Sequence, residues 1–373
     1  MNNARAFSPA REGGGTLNQQ SKPATRFPRT AARGWWIVLC TLLFVAGCAN
    51  TTTFEPLPDP QSSWNRTGYE KARLSVVALV VEGESSGDAF GAGIVYDDIG
   101  HILTAHHVVE DATRILVLVS GGYTVRATVV GADPISDFAI LRTDTVIPDK
   151  MRPADFAAGE PVPGEPVWNL GNPFGTSRFG GEASVGHGVV SAINRTYLND
   201  ETGRLYLDGI QHDAPTNPGN SGGGIFNERG ELLGLNALIT TTRDTPGDSG
   251  VAFAVPGYKL KQLAEELLQG RAPQHGWFGA DNYKQATELY PQGYGRLRAV
   301  FGSLNPAGPA QTAGIQPGDV VIKVNETEVF GIHELLMLED KIPPGQQVEV
   351  TINRAGREFA ITLTTTSRPW PWG

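Results

Sequence analysis

Between Arg73 and Pro256 the chain is a succession of short runs rich in β-branched residues, separated by turn residues and lacking any helix-length segment. The runs are "LSVVALVV", "GAGIVY", "RILVLV", "TVRATVV", "FAILRT", "PVWNLG", "GHGVVSAI", "GGIFN", "ELLGLNALIT" and "GVAFAV". Each is too short for a helix and rich enough in Val and Ile to pair as a strand. Parallel sheets need helical crossovers that this stretch lacks, so α/β architectures are excluded. The expectation is an all-β domain large enough for two small barrels packed together, and the 46 Gly and 26 Pro suit its many turns.

"GYKLKQLAEELLQG" is the first convincing helix, with Leu260, Leu263, Leu267 and Leu268 on one face and Gly270 as its stop. The helix and the linker "RAPQHG" occupy 258–275. A smaller unit follows over 276–367, mixing strands ("VVIKVN", "QVEVTIN", "EFAITLT") with helices near Ala307–Ala313 and His333–Lys341. "INRAGRE" predicts a hairpin through Ala355-Gly356, and 368–373 is expected to be a loose tail.

The N-terminus has another character. Arg5, Arg11, Lys22, Arg26, Arg29 and Arg33 face only Glu12, and then "WWIVLCTLLFVAGC" runs apolar up to Cys48. That run is short for a membrane span and fits the hydrophobic region of a secretory signal. Ala46-Gly47 before Cys48 resembles a bacterial lipoprotein signal, with 1–47 removed and Cys48 lipidated; the alternative is an uncleaved short anchor. Residues 48–69 then form a Pro/Ser/Thr-rich tether. The only other cysteine is Cys40, so the exported part has no disulfide, thiol nucleophile or cysteine metal site. The whole chain carries −9, and losing the basic leader makes it more acidic, which argues against a nucleic-acid partner. No motif calls for a nucleotide, metal or other cofactor: "GAGIVY" lacks the third glycine and the helix of a phosphate loop.

"NPGNSGGG" (217–224) surrounds one hydroxyl, Ser221, with glycine. This suits a nucleophile whose turn must aim backbone N–H groups at an oxyanion, but equally suits a surface loop. A serine nucleophile needs a base and an anion that orients the base. His101, His106, His107, His187 and His212 are candidate bases. "GHILTAHHVV" puts histidines at a strand end, and "DPISDFAIL" leads Asp137 directly into a strand. His107, Asp137 and Ser221 fall in the order His…Asp…Ser, which is the chain order of double-barrel serine proteases and not of other hydrolase folds.

"GAGIVYDDIGHILTAHHVV", "DPISDFAIL", "LGNPFG", "DAPTNPGNSGGGIFN" and "GVAFAVP" together resemble the signatures of the HtrA/Deg serine proteases over 70–257. The unit after them resembles the PDZ domain those proteases carry. The resemblance implies a double six-stranded β-barrel of the chymotrypsin/trypsin type followed by an α+β PDZ domain. It further implies His107 as general base, Asp137 as its orienter and Ser221 as nucleophile, with the backbone of Gly219, Asn220 and Ser221 as oxyanion hole. Gly224 stands where the family usually has Pro, which predicts a more mobile loop. Pro215 is also less usual there.

In a PDZ domain a peptide C-terminus adds a strand to a sheet edge and its carboxylate is held by loop N–H groups. "GWFGA" resembles that loop, making Trp277, Phe278, Gly279 and Ala280 binding candidates, although Trp277 and Phe278 suit core aromatics equally well. The implied protein is an endopeptidase for unfolded or damaged proteins of the bacterial envelope, on the periplasmic side, lipid-anchored and homotrimeric. The competing expectations are a non-enzymatic peptide-binding module and a regulatory protease with one membrane partner.

Overall fold

Antiparallel neighbours dictate how the β-branched runs close. The computed structural model describes residues 66–84, 88–147, 149–179, 182–198, 204–239 and 249–369. The expected signal 1–47, Cys48, most of the tether and the loop 240–248 lie outside the described residues. The tether's last residues are helical instead, in α1 (Arg66–Arg73).

Six strands form a first closed barrel: β1 (Val76–Gly83), β2 (Asp88–Val95), β3 (His101–Ala105), β4 (Ala112–Val119), β5 (Tyr123–Asp133) and β6 (Phe138–Thr143). Their order around the barrel is β1-β2-β3-β6-β5-β4. One helical turn, α2 (His106–Val109), follows β3. The second barrel contains β7 (Pro166–Gly171), β8 (Ser184–Leu198), β9 (Leu205–His212), β10 (Gly224–Phe226), β11 (Leu232–Ile239) and β12 (Ala252–Pro256). Its order, β7-β8-β9-β12-β11-β10, repeats that of the first. Closure removes unpaired sheet edges and turns one face of every strand inward. Leu79, Ile94, Ile102, Leu103, Phe138 and Ile140 fill the first barrel, and one apolar cluster continues through Trp168, Leu170, Phe226 and Leu235 of the second. The catalytic candidates lie along that seam.

Helix α3 (Gly257–Leu268) packs Leu260, Leu263, Ala264 and Leu267 inward. Leu268, expected on that face, is 38% exposed, and Ala264 takes its place. The helix stops as Gly270 anticipates: with φ +70° it lets the Arg271 N–H reach the Glu266 carbonyl and its own N–H reach Leu267, a Schellman cap.

The C-terminal unit comprises β13 (Gly276–Trp277), β14 (Ala280–Leu289), β15 (Gly295–Leu304), α4 (Pro309–Thr312), β16 (Val320–Val324), β17 (Thr327–Glu328), α5 (Ile332–Lys341), β18 (Gln347–Arg354), β19 (Arg357–Thr364) and β20 (Thr366–Ser367). Its main sheet is ordered β14-β15-β16-β18-β19 around Phe278, Phe301, Val321, Leu335 and Ile352. The Ala355-Gly356 hairpin forms, with both residues at positive φ. Arg368, expected in a loose tail, is buried and donates its backbone N–H to the His275 carbonyl.

The two parts meet along α5. Leu336 packs on Ile135, Leu205 and Leu207 of the barrels, and the His333 ring bonds the Thr196 hydroxyl. His275 lies between them, Nε2 3.0 Å from Asp133 and Nδ1 2.7 Å from Asp340.

Candidate active site

Asp137 organises the site. It sits at φ 54°, in the left-handed region that Asp tolerates better than most residues. This bend lets its backbone carbonyl accept the His106 N–H while its side chain reaches the next residue. Oδ1 accepts the His107 backbone N–H at 2.8 Å, and Oδ2 accepts Nδ1–H of the same histidine at 2.7 Å. A residue thirty positions away in sequence therefore caps α2 and orients its second side chain. The resemblance names His107 rather than His106 as the base, and it is the His107 ring that hydrogen-bonds Asp137.

Two further groups close on the carboxylate. The Tyr206 hydroxyl donates to Oδ2 at 2.8 Å, and the Arg204 guanidinium lies 3.3 Å from Oδ1 while bonding Glu110 at 2.6 Å. Asp137 is 0% exposed. Burial alone would raise its pKa, but the His107 charge and hydrogen bonds, with Arg204, hold it below the usual carboxylate range. The ionised Asp137 fixes His107 Nδ1 as the protonated nitrogen, which leaves Nε2 as the basic one on an exposed ring. Burial, followed by the Asp137 charge and hydrogen bond, pushes Tyr206 far above an ordinary phenol, so its hydroxyl stays a donor.

Ser221 comes from the second barrel and is tied to the first. Its carbonyl accepts the Ala92 N–H at 2.9 Å. A Cβ on the following Gly222 would fall 2.2 Å from the Ala92 carbonyl and 2.3 Å from the Thr104 hydroxyl, so only glycine lets the serine turn come this close to β3. β3 runs directly into α2, and a Cβ on Gly91 would lie 2.4 Å from Val108 of α2 and 3.3 Å from the Ser221 carbonyl, so Ser221 and His107 sit on adjoining segments. They share no hydrogen bond among the described residues; contacts of this kind commonly tighten only with substrate.

The turn before Ser221 is explicit. Asn220 N–H donates to Asn217 O at 2.9 Å, with Pro218 second and Gly219 third at φ +99°; this is the signature of a type II turn. Phe174 N–H holds the Pro218 carbonyl at 2.8 Å. Because the peptide is planar and trans, that grip points the Gly219 N–H the opposite way. Asn172 braces the same turn, donating its backbone N–H to Gly219 O and its side-chain amide to Gly91 O. Phe174 itself sits at φ 54° and is 59% exposed, a strained conformation for a bulky residue. Among the described residues no acceptor meets the N–H of Gly219 or Ser221. Asn220, named with them in the expectation, has its N–H in the bond that closes the turn. Gly224, expected to loosen the loop, lies buried in β10, paired with Leu170 and Leu235.

Beneath the turn runs a buried polar chain. His212 Nε2 meets Asn236 Oδ1 at 3.2 Å, the Asn236 amide donates to Asn169 Oδ1 at 2.7 Å, and Asn169 donates to Thr216 at 2.8 Å. His212 is thus a support, His187 packs at a tilt against Trp168 with ring centroids 4.7 Å apart, and His101 pairs with Asp97 at 2.6 Å. "LGNPFG" marked Asn172 and Phe174 by pattern without a role. Arg204 and Tyr206 carried no local signal, because their partner is far away in sequence.

The PDZ candidates are packed into the domain. Trp277, Phe278, Gly279 and Ala280 are all buried. Trp277 pairs with Thr366 across β13 and β20 and donates its indole N–H to Ala280 O. The Phe278 N–H donates to Glu339 Oε1 at 2.6 Å.

Two barrels with a His–Asp pair and a glycine-wrapped serine at their seam, followed by a PDZ domain, define a trypsin-like peptidase architecture. A "Trypsin-like peptidase domain" family matches residues 91–235 and a "PDZ domain" family matches 300–354. Over both domains the chain is similar to the HtrA/Deg proteases. It is 34% identical over 291 residues to a "Probable periplasmic serine endoprotease DegP-like" of Halomonas elongata, covering 76% of this chain and 57% of that one. With "Serine endoprotease DegS" of Escherichia coli it shares 28% over 331 residues, covering 86% and 90%. This chain spans 57% and 63% of two DegP-like relatives, the second from Bartonella henselae. Among solved structures, an HtrA-type protease, AlgW with tripeptide, superposes with a TM-score of 0.67 at 26% identity, covering 83% of this chain and 99% of that one. The serine endoprotease from Yersinia pestis superposes with a TM-score of 0.62 at 27%, covering 84% and 100%.

Proposed function

We propose that this chain is a serine endopeptidase working through an acyl-enzyme. The observation that carries the proposal is the double grip of ionised Asp137 on the backbone and ring of His107. His107 Nε2 takes the Ser221 proton as the hydroxyl attacks a peptide carbonyl, and Asp137 stabilises the resulting imidazolium. The tetrahedral oxyanion is received by the N–H groups of Gly219 and Ser221; one such donor is typically worth about 3 kcal/mol. His107 then returns the proton to the leaving amine, and water releases the acyl group by the same steps.

The test compares casein cleavage and fluorophosphonate labelling by the full chain with Ser221→Ala and His107→Ala. Losing either group from a working triad costs on the order of a million-fold, so both variants should fall to background. Labelling of the parent without casein cleavage would point to a narrower substrate. If neither occurs, the peptidase gives way to a peptide-binding module.

The substrates we propose are unfolded or damaged proteins of the envelope; the names of the DegP-like relatives support its periplasmic side. The PDZ domain would recognise peptide C-termini, Cys48 would carry a lipid anchor, and the protein would act as a homotrimer. Membrane fractionation of Cys48→Ser and light scattering of the parent check these last two: release from the membrane and a mass of three chains are expected.

A further inference from the structure

Helix α5 ends in a buried acid with no part in the peptidase. Glu339 is 0% exposed and lies in the last turn, where the helix dipole disfavours an anion. Three donors hold it there. Oε1 accepts the Phe278 N–H at 2.6 Å and the Tyr283 hydroxyl at 3.1 Å; Oε2 accepts from Arg368 at 3.0 Å. The approach needs Gly276, where a Cβ would fall 2.0 Å from the Ile342 carbonyl and 2.4 Å from that of Glu339. An apolar residue would fill the same space without burying a charge pair, which is seldom favourable on balance. The donors come from three separate places: the loop before the edge strand β14, β14 itself, and the segment after β20. A backbone N–H and a guanidinium converging beside a free sheet edge suit a terminal carboxylate. One turn earlier on α5, Leu336 is covered by Ile135, Leu205 and Leu207.

We propose that Phe278 N–H, Tyr283 and Arg368 form a carboxylate site that the chain fills with its own Glu339, so that a peptide C-terminus binds the PDZ domain only by displacing that side chain. The second half rests on the PDZ reading above; the first half does not. Glu339 thus sets the threshold for ligand entry, and a ligand must bring a free α-carboxylate to replace it.

The two halves are tested separately on the full chain. Glu339→Ala leaves the donors facing a gap the size of a short acid. Propionate should raise the melting temperature of this variant by about 2–4 °C in a saturable way, while propionamide does not and the parent does not respond. Equal responses of parent and variant to propionate would overturn the carboxylate site. For displacement, the probe is a fluorescein-labelled decapeptide pool, randomised in its last three positions, as free acid and as C-terminal amide. Glu339→Gln keeps shape and fold while removing the charge. It should bind the acid on the order of tenfold more tightly than the parent, or better, with no gain for the amide. Parent binding of the acid as tight as the variant's would overturn displacement. Acid and amide bound alike by every protein would sink C-terminal recognition itself, and the propionate result would still decide the site.

Discussion

Asp137 shows how much of the candidate chemistry rests on single side chains. His107 takes one hydrogen bond to each carboxylate oxygen, and Tyr206 and Arg204 occupy the remaining directions. Hydrogen bonds to a charged group are typically worth about 1.5–3 kcal/mol. Tyr206→Phe should therefore lower kcat about 10–100-fold with KM nearly unchanged, since the lost bond matters most when His107 becomes charged. Steady-state kinetics on a peptide substrate check this. An unchanged kcat would reduce Tyr206 to a packing residue.

At the scale of elements, the turn 217–220 and the segment 172–175 act as one unit. Phe174 grips the Pro218 carbonyl and Asn172 grips that of Gly219, so the direction of the Gly219 N–H is fixed from outside the turn. Gly219→Ala places a methyl 2.3 Å from the Asn172 carbonyl at a φ of +99°. The turn cannot keep its shape, and kcat should fall about 10²–10³-fold, the usual loss for one oxyanion donor. Circular dichroism should stay that of the parent, because the barrels do not depend on this turn. Full activity in the variant would remove Gly219 from the hole. The turn itself was legible in "NPGNSGGG", because Pro and Gly act on their own backbone angles. Its orientation was not, since the groups that grip it come from another loop.

For the molecule as a whole, His275 joins the barrels to the PDZ domain. Burial disfavours its imidazolium, but the hydrogen bonds and charges of Asp133 and Asp340 prevail and push its pKa up to about 9. Lys259 and Arg368 also face Asp340 and help hold its carboxyl low, against the effect of burial and alongside His275. A group whose pKa rises on folding stabilises fully below its ordinary value and loses that contribution as pH climbs through the folded value. The melting temperature of the parent should therefore drop between pH 7 and 10 by more than that of His275→Gln. Parallel pH curves for the two proteins would discard the clamp. Strand content, the closing helix with its Gly270 stop, the hairpin at Ala355-Gly356 and the order His107, Asp137, Ser221 could all be read from the chain, because period, turn chemistry and motif are local. Barrel closure and the choice of His107 over His106 were legible only through the family resemblance, and the Arg204–Tyr206 support of Asp137 and the bond from the Phe278 N–H to Glu339 were not legible at all. Each depends on which distant backbone comes within 3 Å, and that is decided only when the strands have paired and the two barrels and the PDZ domain have packed.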